Sequence, residues 1–230
     1  MGSSARRNCT LCCIGRLADG YVRELGEAAG QCSSLPEFQF ATYRRSRTLC
    51  SQKGFTVWFT GLSGSGKTAI AKPLAHALRE RGLRVERLDG DIVRQSLTSD
   101  LGFTREDRDE NIKRVTFVAK LLTRNEVAVI CSFISPYRER RAQTRREIGE
   151  GGAFIEAYVE CPLEVCAERD VKGLYEQAFA GRIDNFTGVS DPYEPPENPE
   201  IVCHTAEESI EESVARVLGY LQENGYIPAG

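Results

Sequence analysis

The sequence predicts an α/β fold: three layers, α/β/α, around a mostly parallel five-stranded sheet with a lid. Two observations carry this. From Phe55 onward, short β-rich runs alternate with helical stretches, the rhythm of parallel strands joined by crossover helices. Later, residues 171–199 hold Gly173, Gly181, Gly188, Pro192, Pro195, Pro196 and Pro199, a density of breakers that predicts a long functional loop of the lid kind. The first 53 residues do not join the alternation, so the chain divides into an N-terminal extension, 1–53, and one domain, 54–230.

Strands are predicted at Phe55–Thr60, 84–88, 128–133, 154–159 and Ile201–His204. Helices are predicted near 66–81, 107–124, 137–148, 162–169 and 207–223. The first helix carries Pro73 beyond its first turn, where a missing N–H predicts a kink. The second is the best marked: Thr104 and Asp107 make a capping-box-like start, and Ile112, Val115, Ala119 and Leu122 recur on one face.

Composition excludes several classes. With 30 basic and 33 acidic residues the net charge is −3, so no global field favours nucleic acid or an anionic membrane, and any anion site has to be built locally. No apolar run approaches the roughly 20 residues of a membrane span, and the start, MGSSARRNC, lacks the apolar centre of a signal peptide. These readings predict a soluble, cytoplasmic protein. Of nine cysteines, Cys9 and Cys12 form one CxxC with no second pair to complete a zinc site. Cys9, Cys12, Cys13, Cys32 and Cys50 crowd the extension, while Cys131, Cys161, Cys166 and Cys203 sit in apolar or helical contexts and are expected to be reduced core thiols.

The decisive motif is Gly61-Leu62-Ser63-Gly64-Ser65-Gly66-Lys67-Thr68, a full G-x-x-x-x-G-K-[ST] between the strand FTVWFT and a helix. This is the phosphate loop of a P-loop NTPase. Its glycines let successive amides face one concavity, and the helix N-terminus adds its dipole. Gly61, Ser63, Gly64, Ser65, Gly66, Lys67 and Thr68 are therefore the expected ATP ligands, with Lys67 at the β- and γ-phosphates and the Thr68 hydroxyl on Mg²⁺.

On the acceptor side the second strand ends in Leu88-Asp89-Gly90-Asp91, at the sheet edge where open α/β folds bind ligands. One carboxylate can serve Mg²⁺ and the other the attacking hydroxyl, or both can be solvated turn residues. Arg94, Arg108, Lys113 and Arg114 follow, with Phe103 and Asn111 among them. Such a run suits sulfate or phosphate oxygens and a stacked base, and equally suits a solvated helix face. Ser132-Phe133-Ile134-Ser135-Pro136-Tyr137 reaches the same edge, where a serine can meet substrate or cap a proline-initiated helix.

In order, GLSGSGKT, LDGD, LGFTREDRDENIKRV, CSFISPYRERR, ERDVKGLY and NFTGVSDPYEPPENPE resemble the adenylyl-sulfate kinase family over roughly residues 54–228. The resemblance implies transfer of the ATP γ-phosphoryl group to the 3′-hydroxyl of adenosine 5′-phosphosulfate, with Mg²⁺, in a homodimer. Matched by position, it implies a substrate pocket of Asp91, Arg94, Phe103, Arg108, Asn111, Ile134, Ser135, Lys172, Phe186 and Thr187. Phe103 and Phe186 would sandwich the adenine, Arg94 and Arg108 would hold the phosphosulfate, and Arg169 would begin the lid over ATP. Lys67, Asp91 and Ser135 are the implied catalytic residues, with Thr68 and Asp89 at the metal. Ser135 falls on the family's phosphoserine position, although direct in-line transfer needs only positioning and charge stabilisation. Asp91 is expected to orient or deprotonate the hydroxyl.

The chain departs from the family at Ile92, where Asn is usual, at Glu176, Gln177 and Phe179, where basic residues are common, and at His204, where Lys is frequent. The extension resembles the linker that precedes the kinase in fusions with ATP sulfurylase. Two other readings remain at this stage: another P-loop small-molecule kinase, and a nucleotide-binding regulatory domain.

Overall fold

The computed structural model describes residues 52–170 and 172–228. The extension's cysteines and linker-like segment lie outside these residues.

Five strands form one sheet in the order β2-β3-β1-β4-β5: β1 Phe55–Thr60, β2 Val85–Asp89, β3 Ala128–Ser132, β4 Ala153–Glu160 and β5 Ile201–His204. Every pairing is parallel. The helices are α1 Lys67–Glu80, α2 Gly90–Val93, α3 Arg105–Arg124, α4 Arg138–Gly149, α5 Leu163–Arg169, α6 Leu174–Phe179 and α7 Ile210–Glu223. A parallel sheet is covered on both faces, and two apolar clusters do this. Phe55, Val57, Phe59, Ala128 and Ile130 pack with Ile70 and Leu74 of α1 and Val217 and Leu221 of α7. Trp58, Val129 and Cys131 turn the other way, against Ile112, Val115 and Ala119 of α3 and Ile148 of α4. β1 is buried along its whole length, as its uninterrupted FTVWFT run requires of a central strand.

Helix ends follow their chemistry. Thr104 caps α3, its hydroxyl accepting from the Asp107 amide at 3.1 Å, so the helix starts two residues before the predicted 107. Ser209 and Glu212 complete a capping box on α7, which starts later than the expected 207. Pro73 does not divide α1, which runs as one element. It lies on the exposed side, as does Ala69, whose carbonyl loses its helical partner and is left to water.

The breaker-rich stretch differs from the sequence expectation, because α6 forms inside it. Asp170 explains this: its carboxylate accepts from the amides of Leu174 at 2.8 Å, Tyr175 at 3.1 Å and Glu176 at 3.1 Å. Three of the orphan donors of a helix start are thereby satisfied by one side chain. Gly173, at φ 63°, lets the chain turn into the helix.

The end of the loop is fixed by an arginine ladder on α4. Arg138 Nε donates to the Pro195 carbonyl at 2.6 Å, Arg141 Nη2 to the Glu194 carbonyl at 2.7 Å, and Arg145 pairs with both Glu200 oxygens at 2.6 and 2.7 Å. Arg141 is also buried against Glu156, Nε to Oε1 at 2.7 Å. Removing one partner of a buried pair costs about 3–5 kcal/mol. Arg145 also reaches Glu156, at 3.3 Å, which places Arg141→Ala near the lower bound, about 3 kcal/mol. Urea unfolding measures this loss, and one below about 1 kcal/mol would mean that the pair contributes little.

Candidate active site

The phosphate loop joins β1 to α1 along a path that only glycines take comfortably. Gly61, Gly64 and Gly66 have φ of 152°, 73° and 100°. A Cβ on Gly61 would also sit 2.5 Å from the Val159 carbonyl oxygen, so the loop presses against the end of β4. Lys67 opens α1 and folds over the loop, Nζ donating to the carbonyls of Leu62 at 2.6 Å and Gly61 at 3.0 Å. Burial pushes its ammonium pKa down to about 8, and among the charges acting on it are Lys172, Asp89 and Asp91. The phosphate loop and the acceptor edge thus share one electrostatic neighbourhood.

Asp89 ends β2 one position beyond the predicted strand and is 4% exposed. Its Oδ2 accepts from Thr68 Oγ1 at 2.8 Å and its Oδ1 from the Asp91 amide at 3.1 Å, capping α2. A hydroxyl and a carboxylate in contact are hard oxygen donors. They fit Mg²⁺, which takes one or two side chains and otherwise keeps waters and phosphate oxygens. Asp91 is exposed and paired with Lys172, so a lid residue meets the acceptor edge directly.

The predicted substrate residues separate into two groups. Arg94 and Arg108 come together: the Arg94 pKa is lowered first by burial and then by the Arg108 charge, with Asp107 and Asp91 opposing. Arg94 lies over the Phe103 ring at 4.3 Å, and that ring is 60% exposed. Arg108 Nε donates to the Phe103 carbonyl at 2.9 Å, while its Nη atoms donate to Thr187 Oγ1 and the Asn185 carbonyl. One guanidinium therefore ties the start of α3 to the segment that carries Phe186 and Thr187.

The other group is turned inward. Asn111 is buried and accepts from Thr98 Oγ1 at 2.8 Å. Phe186 packs edge-on against Tyr175, ring centroids 5.0 Å apart, in a cluster with Cys161 and Cys166. The Ile134 carbonyl accepts from Thr60 Oγ1 at 2.8 Å. Ser135 is 3% exposed at φ 39°, its Oγ accepting from Trp58 Nε1 at 3.1 Å and donating to Thr60 Oγ1 at 3.0 Å. Its carbonyl takes Arg141 Nη1 at 2.6 Å. The side chain is occupied in holding a turn.

Arg169 ends α5, and its Nη2 donates to the Thr205 carbonyl at 2.5 Å. Thr205 Oγ1 donates in turn to the Ser65 carbonyl at 2.8 Å, linking the root of the lid to the phosphate loop. Sequence reasoning missed this threonine and also Tyr175, whose hydroxyl donates to the Ser63 carbonyl at 2.8 Å. Tyr175 stands in ERDVKGLY, and a tyrosine two residues after a glycine in a lid was the available signal. Tyr193, whose hydroxyl lies 2.9 Å from Thr60 Oγ1, had no signal short of the fold.

A lysine at the head of a helix, a glycine loop before it and convergent arginines at the same sheet edge place the molecule among the P-loop kinases. Comparison with known proteins narrows the class. Residues 53–204 match the family described as Adenylylsulphate kinase, and the chain belongs to that family. It is 63% identical over 177 residues to an adenylyl-sulfate kinase of Halothermothrix orenii, covering 77% of this chain and 94% of that one. A Synechococcus adenylyl-sulfate kinase is 58% identical, covering 77% and 99%. Among solved structures, the APS kinase CysC of Mycobacterium tuberculosis, in complex with AMPPNP and APS, matches with TM-score 0.72 and 43% identity over 74% of this chain and 98% of that one.

The depressed Lys67 pKa has a testable sign. Phosphates favour the ammonium, so below about pH 8 the protein binds nucleotide already protonated. Above that pH it has to take up a proton to bind, and affinity falls by up to about tenfold per pH unit. Calorimetry with AMP-PNP from pH 7 to 9.5 measures the slope, and Lys67→Ala flattens it.

Proposed function

We propose that the protein transfers the γ-phosphoryl group of ATP to the 3′-hydroxyl of adenosine 5′-phosphosulfate, giving ADP and 3′-phosphoadenosine 5′-phosphosulfate. The observation that carries this reading is the convergence of Arg94 and Arg108 on Phe103, Arg94 lying over its ring at 4.3 Å and Arg108 Nε donating to its carbonyl at 2.9 Å. Two guanidinium groups beside one exposed ring suit the oxygens of a phosphosulfate attached to a stacked base. Phe103 offers its exposed ring to the adenine, and Arg108 keeps the Phe186 segment at the same place. The name of the relatives and the ligands of the CysC complex support the same substrate pair.

In this reading Gly61, Ser63, Gly64, Ser65 and Gly66 cradle the triphosphate, and Lys67 leaves the loop carbonyls for the β- and γ-oxygens. Thr68 and Asp89 would hold Mg²⁺, which neutralises charge on the transferring group. Asp91 orients the 3′-hydroxyl and accepts its proton as the bond to phosphorus forms. Lys172, paired with Asp91, brings the lid over the acceptor, and Arg169 with Thr205 closes the ATP side. Ser135, Asn111 and Ile134 shape the pocket from behind.

The protein works as a homodimer in the cytoplasm on this proposal. The APS kinase of Thiobacillus denitrificans, 39% identical with TM-score 0.61, is hexameric, and this chain covers 30% of that longer one. Light scattering decides the state, and a single-chain mass removes the dimer.

A coupled ADP-release assay with adenosine 5′-phosphosulfate, nucleosides and sugar acids tests the substrate, and uniform background rates would end the proposal. Asp91→Ala is expected to lower kcat at least 100-fold while leaving the unfolding midpoint unchanged. Near-normal turnover removes its role. Ser135→Ala is expected to do the reverse, losing about 1–3 kcal/mol of stability because the Trp58 indole loses its acceptor, yet retaining single-turnover transfer.

A further inference from the structure

Ser132 closes β3 with 4% exposure, yet its Oγ has no hydrogen-bond partner among the described residues. A buried hydroxyl left unpaired costs about 1–3 kcal/mol, and such an atom at a sheet edge asks what satisfies it in the working protein. Its surroundings answer. In register, Ser132 stands beside Asp89 of β2 on one side and Phe59 of β1 on the other. Side chains of in-register parallel neighbours leave the sheet on the same face, and Phe59 and Ile130 leave it toward α1. Asp89 takes its hydrogen bond from Thr68, at the head of that same helix. Ser132 therefore lies on the phosphate-loop face, between the strand bearing the proposed metal carboxylate and the strand feeding the loop.

We propose that Ser132 is a further positioning residue for the nucleotide-bound cation, its hydroxyl holding a water of the hydration shell next to Asp89. A phosphate-bound Mg²⁺ keeps several waters, and groups that orient such ligands change metal affinity by about 10- to 100-fold. The hydroxyl has both a donor and acceptor lone pairs, so it can accept a hydrogen bond from the water without competing for the cation. This inference rests on the assignment of Thr68 and Asp89 to the cation.

The test compares wild type with Ser132→Ala in three measurements: AMP-PNP affinity with EDTA, AMP-PNP affinity with Mg²⁺, and melting temperature without metal. Expected are equal affinities in EDTA, a Mg²⁺-dependent tightening about tenfold smaller in the variant, and a melting temperature equal to or above that of wild type. Equal tightening by Mg²⁺ in both proteins overturns the role of Ser132, as does a variant that melts lower without metal, since its hydroxyl would then be structurally bonded. A wild type that Mg²⁺ does not tighten removes the cation from Thr68 and Asp89 as well, which separates failure of the underlying assignment from failure of this one.

Discussion

The buried guanidinium of Arg141 is the contact on which the acceptor edge depends. Its Nε is held by Glu156 of β4, its Nη1 holds the Ser135 carbonyl after β3, and its Nη2 holds the Glu194 carbonyl at the end of the lid. Burying such a pair costs several kcal/mol in desolvation, so it persists only where every polar atom finds a partner. Glu156 meets that condition by taking Arg145 as well. The return of geometry for this expense is a fixed distance between a strand edge, a strained turn and a loop that no run of apolar contacts could hold in register.

From that anchor the site builds outward. Ser135 stays at positive φ because Arg141 takes its carbonyl while Trp58 and Thr60 take its hydroxyl. Thr60 then meets Tyr193, and the residue after Thr60 is Gly61, the first of the phosphate loop. The loop is gripped from the other side by Tyr175 at Ser63 and Thr205 at Ser65. A phosphate cradle needs amides fixed before the ligand arrives, because reorganisation at that moment subtracts from binding. Here the lid supplies part of that fixity, which explains why lid and loop share hydrogen bonds rather than apolar packing alone.

Much of this was legible in the sequence, for physical reasons that can be named. The strands showed because β1 and β3 are buried on both faces and read as short runs rich in apolar and β-branched residues. The phosphate loop showed because positive φ forces glycine at set positions. The residues alone leave open which of Asp89 and Asp91 serves the metal and which the hydroxyl, and the resemblance implies Asp89 for the first and Asp91 for the second; in the fold one is buried and capping, the other exposed and tied to Lys172. That difference arises because the strand runs one residue longer than expected, to Asp89, while Asp91 falls in the short helix that Asp89 caps. The resemblance places Phe186 at the adenine, and here its ring packs on Tyr175 of α6, a helix that Asp170 caps within a glycine- and proline-rich stretch. Local breakers outvoted a cap that sequence alone does not weigh.

A protein of net charge −3 has to concentrate cations to bind two polyanions, and it does so by surrounding each with carboxylates that are not spent on it. Arg108 leans on Asp191 at 3.7 Å, Arg140 on Asp109, and Lys172 on Asp91. These partners hold the cations in place, while Lys67 keeps a lowered pKa, first through desolvation and then through nearby charges that include Lys172. The lid residues Glu176 and Phe179 contribute no such charge, Glu176 facing Arg182 at 3.5 Å and Phe179 lying 61% exposed. On the proposed function, attraction therefore comes from the edge of the sheet and from Lys172 rather than from the distal half of α6.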